Sequence, residues 1–270
     1  MKENTEQYTF IDLFSGIGGF RIGMELADFK HVFSNDYDKY ANQTYTQWFG
    51  KDGHDSRSIW DISLDEIPSH DILCGGFPCQ PFSKSGAQEG FKDQTRGTLF
   101  HDICYLAEKH KPKVLFLENV PHLVKHDNGN TFRVIEERLH ELGYDFEWAI
   151  LSPHKFGIPQ VRTRVYIVAI RKDLAKGRDY TFPTGKNEIE LDVRSVLDKK
   201  VDKKYNMTEK ELMWLDMWED FLKNVNVETK LPGHPIWADS FIGDEALPGD
   251  LSNYTNKELI SIGKEWKEYG

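Results

Sequence analysis

Over roughly the first 170 residues, short apolar runs alternate with longer amphipathic segments. Short runs rich in Val, Ile, Leu and Phe are typical of strands that are buried on both faces of a parallel sheet. Amphipathic segments between such runs are typical of helices that cover the two faces. The pattern therefore predicts an α/β fold with a doubly wound, mostly parallel sheet. The predicted strands are 10–14, 31–34, 71–74, 114–117 and 165–170, and the predicted helices include 20–26, 99–110 and 131–142.

The pattern changes after about residue 184, where the charge rises and the strand signal ends. Thr208 and Glu211 have the spacing of a capping box, and apolar residues follow them at helical spacing. We therefore predict an α/β domain over 1–184 and a mainly helical C-terminal extension over 185–270. The apolar positions of the predicted helix are Leu212, Leu215, Trp218, Leu222 and Val225.

Composition and charge narrow the class of protein. Hydrophobic residues make up 39% of the 270, which is enough for a core and excludes intrinsic disorder. The formal net charge of −10 disfavours a protein that coats nucleic acid indiscriminately, but it leaves room for a local basic cleft. No apolar run approaches the ~20 residues of a membrane span, and the first residues contain no hydrophobic signal segment. We expect a soluble cytoplasmic protein.

The three cysteines differ in their sequence context. They are odd in number and lack zinc-like pairing, so we expect neither a disulfide framework nor a metal site. Cys74 and Cys104 are interpreted as small buried hydrophobic residues. Cys79 lies between two prolines directly after a predicted strand, where ligands of open α/β sheets bind. A thiol with the usual pKa of ~8.5 needs a polar environment to react near neutral pH, and Cys79 is the candidate nucleophile.

A glycine-rich turn joins the first predicted strand to the first predicted helix, at Phe14-Ser15-Gly16-Ile17-Gly18-Gly19. Glycines let a backbone approach a ligand closely, and a helix start offers unpaired N–H groups. The spacing is not that of nicotinamide enzymes, and a tight connection without a ligand is the alternative. Asp36 ends the next predicted strand, where carboxylates of such folds accept hydrogen bonds from ribose hydroxyls. The pair indicates a nucleoside-containing cofactor.

Two further strand ends carry charged residues. Glu118 and Asn119 follow the strand 114–117, and partial burial there would raise the pKa of the carboxyl group, so that it could hold a proton. Arg162 and Arg164 alternate at the start of the strand 165–170 and point to the same side, which suits an anion or a carbonyl oxygen. An ordinary solvated surface is the alternative for both pairs.

Taken together, these residues resemble the DNA cytosine-5 methyltransferase family, and in particular its small bacterial modification methylases. The likeness covers about residues 8–175. It implies a Rossmann-like, S-adenosylmethionine-dependent enzyme that methylates carbon 5 of cytosine in double-stranded DNA, as part of a restriction-modification system. The motifs that carry the resemblance are 12–19, 77–80, 118–120 and 160–164, and the connecting segments 71–76 and 96–100 also resemble the family.

The resemblance implies roles for individual residues. Phe14 would stack on the adenine of S-adenosylmethionine and Asp36 would hold its ribose hydroxyls, with S-adenosylhomocysteine as the product. Cys79 would attack carbon 6 of the cytosine, Glu118 would hold the proton at N3, and Arg164 would bind the carbonyl at position 2. Arg162 and Asn119 would frame this pocket. The other implied cofactor residues are Ser15, Gly16, Ile17, Gly18, Gly19, Tyr37, Asp61, Ile62 and Pro78.

A base inside a duplex cannot reach such a thiol, so the target must be flipped out, at a cost of a few kcal/mol. The small, polar segment after Cys79 is suited to be a loop that closes on the extruded base. An ordinary surface loop is the other interpretation. The residues proposed for this loop are Ser83, Lys84, Ser85 and Gln88.

The family pattern is incomplete after residue 184. We find neither the long target-recognition region nor the Gly-Asn-x-Val element of the family, and 192–198 only resembles a segment that supports that region. Either a second polypeptide supplies the missing portion, or 185–270 is an unusual or partial recognition region. We favour the first, because an acidic chain without a basic face should bind DNA poorly alone. A transfer RNA cytosine-5 methyltransferase and a non-catalytic subunit are the alternative functions.

Overall fold

The computed structural model describes residues 7–78, 99–175, 180–186 and 191–224. Contacts between residues divide the chain into two units, Met1–Val196 and Leu197–Gly270. The first unit holds the sheet and four helices, and the second holds one described helix. The division falls after the change of composition near 184, and the assignment of 1–184 as a catalytic domain stays a prediction.

The first unit is built on a seven-stranded sheet. Its strands are β1 (Thr9–Leu13), β2 (Lys30–Asn35), β3 (His54–Asp55), β4 (Ile72–Gly75), β5 (Val114–Asn119), β6 (Tyr144–Leu151) and β7 (Arg164–Arg171). The order across the sheet is β3-β2-β1-β4-β5-β7-β6, with β7 antiparallel to both of its neighbours and every other pair parallel. The predicted fold class and all five predicted strands are confirmed, and the sequence missed β3 and β6.

Five α-helices are described, and they are α1 (Gly19–Leu26), α2 (Lys39–Phe49), α3 (Leu99–His110), α4 (Asn130–Glu141) and α5 (Glu209–Asn224). The capping box predicted for α5 is confirmed, since Glu211 accepts from the Thr208 N–H and donates its own N–H to the Thr208 hydroxyl. The sequence did not predict α2, whose first turn is capped by the Asp38 carboxylate.

Apolar side chains are buried on both faces of the sheet. Leu13, Leu73 and Leu115 lie on one face, in a cluster with residues of α3 and α4. Phe10 and Ile72 lie on the other face, where they pack with Met24 of α1. Burial on both faces explains why these parallel strands are continuous apolar runs.

The two described cysteines belong to this interior. Cys74 and Cys104 are free and buried, and burial raises the pKa of both thiols. Their burial confirms the interpretation of both as small buried hydrophobic residues. A thiol that stays protonated is also a poor nucleophile.

The described ranges contain neither a membrane-spanning helix nor a cluster of metal ligands. No helix there is long and apolar enough to cross a bilayer. In the same ranges, no three His, Cys, Asp or Glu side chains group closely enough to hold a metal ion.

Candidate active site

The predicted site residues converge because parallel strands end at the same edge of the sheet. Leu13, at the end of β1, pairs with both Asn35 of β2 and Gly75 of β4. The antiparallel strand β7 begins at this edge, where its Val165 pairs with Asn119. Ligands of open α/β sheets bind at this edge. The edge thus gathers the turn 14–18, Asp36, the segment 76–78, Glu118 and Arg164.

The glycine-rich turn coils tightly between β1 and α1. Phe14, Gly16 and Gly18 all have positive φ angles, of 56°, 54° and 92°. The Gly18 N–H donates to the Ser15 carbonyl at 2.8 Å, which closes the turn. The Gly16 N–H donates to Oδ2 of Asp36 at 2.8 Å. The turn thereby orients the carboxyl group that the sequence predicts as the ribose ligand.

The turn is packed closely at Gly18 but not at Gly16. A methyl group at Gly18 would collide with the ring of Phe49 and lie 3.2 Å from Cε2 of Tyr45. At Gly16 the same methyl group has no atom within 4 Å, so Gly16→Ala carries only the cost of its positive φ. We expect Gly18→Ala to lower the free energy of unfolding by about 2–4 kcal/mol and Gly16→Ala by about 1 kcal/mol. Urea unfolding measures both, and equal losses would contradict the packing argument.

Buried polar atoms without hydrogen-bond partners lie next to the turn. Within the described part of the chain, neither carboxylate oxygen of Asp12 nor the hydroxyl of Ser15 has a partner of ordinary geometry. Burial raises the pKa of Asp12 to about 8, although the nearby Arg21 N–H acts in the opposite direction. Buried polar groups are normally satisfied, so these atoms keep a capacity for further hydrogen bonds beside the turn. Sequence reasoning passed over Asp12, whose signal is a carboxylate inside an otherwise apolar strand.

Glu118 and Arg164 form an ion pair on neighbouring strands. Arg164 Nε lies 2.7 Å from Oε1 of Glu118, and the two side chains are 19% and 25% exposed. Burial raises the pKa of Glu118, while Arg164 and Arg162 act in the opposite direction. A half-buried carboxyl group with a raised pKa can hold a proton and transfer it to a base.

The end of β5 also fixes the segment that leads to Cys79. The buried side chain of Asn119 donates through Nδ2 to the Phe77 carbonyl at 2.7 Å and accepts the Val120 N–H at 2.8 Å. A Cβ on Gly76 would lie 3.4 Å from Oε2 of Glu118, so this segment passes close to the carboxyl group. Asn119 therefore holds the segment before the predicted nucleophile next to Glu118.

The remaining predicted site residues differ in how far they are exposed to solvent. Ile17, Tyr37 and Pro78 are exposed at the edge. Ile62 is buried in the core, and the adjacent Asp61 is exposed. Arg162 precedes β7 with an exposed side chain, and its N–H donates to the Ser152 hydroxyl. The predictions that lie outside the described residues are Cys79, Ser83, Lys84, Ser85 and Gln88.

Comparison with known proteins identifies the family. The sequence model of the family of C-5 cytosine-specific DNA methylases matches residues 8–230 of this chain. The chain belongs to the C-5 cytosine-specific DNA methylase family. The resemblance inferred from the motifs is thereby confirmed.

The family includes relatives that are longer than this chain. Type II methyltransferase M.HhaI of Haemophilus parahaemolyticus is 47% identical over 174 residues, which is 64% of this chain and 52% of that protein. Type II methyltransferase M.DsaV of Dactylococcopsis salina is 40% identical over 214 residues, which is 79% of this chain and 58% of that protein. The chain spans about half the length of the curated relatives that it matches.

Solved structures give the same fold. The Entamoeba histolytica methyltransferase EhMeth matches with a TM-score of 0.56 and 26% identity, over 78% of this chain and 66% of that one. A mutant of DNMT2 from Spodoptera frugiperda matches with a TM-score of 0.59 and 23% identity, over 78% of this chain and 65% of that one. The chain therefore shares its fold with these solved structures.

Proposed function

We propose that this chain transfers a methyl group from S-adenosylmethionine to carbon 5 of a flipped-out cytosine in double-stranded DNA, as a restriction-modification methylase. The observation that carries the proposal is that one edge of the sheet brings together an oriented acid, Asp36, and a half-buried acid, Glu118, that is paired with Arg164. In a chain of this family, these acids suit the cofactor and the base respectively.

The residues around the glycine-rich turn fit S-adenosylmethionine. Each oxygen of the Asp36 carboxylate accepts one backbone N–H, from Gly16 and from Asp38, so lone pairs remain for two ribose hydroxyls. Phe14 offers a half-buried ring at the turn, and Asp12 and Ser15 leave buried polar atoms unsatisfied. When bound, the cofactor supplies the methyl group.

Glu118 and Arg164 fit the chemistry of the cytosine ring. Addition of the Cys79 thiolate to carbon 6 forms a C–S bond and sends electron density toward N3 and the carbonyl oxygen. Glu118 gives a proton to N3, and Arg164 stabilises the oxygen. Arg164 uses Nε for Glu118 and Nη1 for the Thr163 carbonyl, and a guanidinium has further N–H donors. Loss of the carbon 5 proton and cleavage of the C–S bond then release the methylated base.

The partners follow from the same chemistry. DNA is favoured over transfer RNA because the matching family model is one of DNA methylases. Extrusion of the base requires a closing segment, for which Ser83, Lys84, Ser85 and Gln88 stay our proposal. We also propose that a second polypeptide supplies target recognition, and that the enzyme works in the cytoplasm. A pull-down from the native host, with the second methyltransferase-like polypeptide identified by mass spectrometry, tests the partner.

Tritium transfer from labelled S-adenosylmethionine tests the proposed function. We expect label in duplex DNA that contains cytosine and none in transfer RNA, either with the chain alone or after addition of the copurified partner. Label in transfer RNA alone would support the RNA alternative instead. Cofactor binding without label in either nucleic acid would mean a non-catalytic subunit.

A further inference from the structure

A chain of side-chain hydrogen bonds leads to the peptide group of Asp36. The Ser34 hydroxyl lies 2.9 Å from Nδ1 of His54, and Nε2 of His54 lies 2.7 Å from Oδ1 of Asn42. Nδ2 of Asn42 donates to the Asp36 carbonyl at 3.0 Å. The chain therefore links β2, β3 and α2 to the residue that we assign to the ribose.

The atoms at each position determine which group donates and which accepts in this series of hydrogen bonds. The Asp36 carbonyl only accepts, so the amide of Asn42 donates through Nδ2 and accepts through Oδ1. His54 must then carry its proton on Nε2, which leaves Nδ1 to accept the Ser34 hydroxyl. Burial lowers the pKa of His54, which keeps the ring in this neutral form.

The ring of His54 is held in place by aromatic packing. Tyr45 stacks on it with a centroid separation of 4.1 Å and an interplanar angle of 16°. Tyr45 is fully buried, and its hydroxyl accepts from Nη1 of Arg21 at 3.1 Å. The series of hydrogen bonds thus passes through a fixed His54 ring and ends on the backbone carbonyl of Asp36.

The backbone of Asp36 determines where its carboxyl group points. The Gly16 N–H and the Asp38 N–H each hold one carboxylate oxygen at 2.8 Å. A shift of the Asp36 peptide would misalign both bonds, together with the lone pairs that remain. Hydrogen bonds worth only about 1 kcal/mol each can therefore control a bidentate contact.

We propose that His54 and Asn42 are positioning residues for Asp36, and that they set the affinity of the site for the 2′ and 3′ hydroxyls of a nucleoside ligand. They act through the Asp36 carbonyl rather than on the ligand. The inference rests on the ribose-binding role in the proposed function. It extends the cofactor site to an edge strand and a helix that the motifs do not include.

Calorimetry with S-adenosylhomocysteine and the full chain tests the proposal. His54→Phe keeps an aromatic ring for Tyr45 to stack on but removes both nitrogens, and Asn42→Leu removes the bridge. We expect about a tenfold weaker Kd for either variant. For the 2′,3′-dideoxy analogue of the same ligand, we expect the variants and the wild type to have the same Kd. In turnover, KM for S-adenosylmethionine should rise with kcat unchanged.

Two further variants serve as controls. His54→Gln should restore most of the affinity, because its amide can both accept and donate. Gln43→Ala removes an exposed side chain from the same helix and should bind like the wild type. Unchanged affinity of His54→Phe and Asn42→Leu, or equal losses for both ligands, would overturn the inference. A wild-type chain that binds no S-adenosylhomocysteine would overturn the proposed function itself.

Discussion

Cys79→Ser is expected to abolish methyl transfer, with a loss of about 10⁴-fold or more. In the proposed mechanism the Cys79 thiolate is the nucleophile, and a serine hydroxyl does not ionise near neutral pH or add readily to an aromatic ring. The described hydrogen bonds of Asp36 and the glycine-rich turn are made by other residues, so we expect the affinity for S-adenosylmethionine to stay within about threefold of wild type. Tritium transfer measures the rate, and calorimetry measures the affinity.

The covalent step has its own readout. In DNA that contains 5-fluorocytosine, carbon 5 has no proton to lose after methylation, so the adduct persists and can be seen on a denaturing gel. The matched control is Cys104→Ala, because Cys104 is a buried thiol with a pKa raised to about 12. The control should form the adduct, and Cys79→Ser should not. An adduct in Cys79→Ser would eliminate Cys79 as the nucleophile.

Glu118→Gln is expected to lower the rate of methyl transfer by about 10²–10⁴-fold. A glutamine has nearly the same shape and can still accept from Nε of Arg164, so the pairing of β5 and β7 should survive. What it lacks is the acidic proton for N3, without which negative charge builds up on the ring. Single-turnover tritium transfer under saturating cofactor isolates this step.

Matched changes separate the chemistry of Glu118 from the loss of an ion pair. Glu137 pairs with Arg133 on the exposed face of α4, and Glu137→Gln removes the same charge from an exposed ion pair. This control should transfer methyl groups at the wild-type rate, because exposed pairs contribute little. A Glu118→Gln rate within threefold of wild type would show that Glu118 does not handle the proton.

Sequence predicted the central strands well because their burial on both faces leaves continuous apolar runs. It missed β6 because this edge strand places Asp145 and Glu147 among its aromatic residues, and both are exposed. It missed α2 because that helix buries only Tyr45 and has no apolar stripe. Elements at the margin of the sheet are fixed by their neighbours more than by their own periodicity.

The site was predictable to the extent that strand ends position its residues. Asp36 follows β2 and Glu118 lies in the last two residues of β5, so their placement at one edge follows from the parallel topology. The pairing of Glu118 with Arg164 was not predictable, because it requires the antiparallel register of β5 and β7. The unsatisfied carboxyl group of Asp12 was equally hidden, since burial and missing partners are properties of the packed chain.

The antiparallel course of β7 has a consequence for the loops between the two motifs. The ladder between β5 and β7 pairs Glu118 with Tyr166, two residues from Arg164, so the acid and the guanidinium lie diagonally across neighbouring strands. The connection from 120 to 163 contains β6, which pairs with β7 on its other side. Insertions or deletions in the loops of that connection, outside α4 and β6, would leave this ladder intact. The acid and the guanidinium can therefore stay paired while the loops between the two motifs change in length.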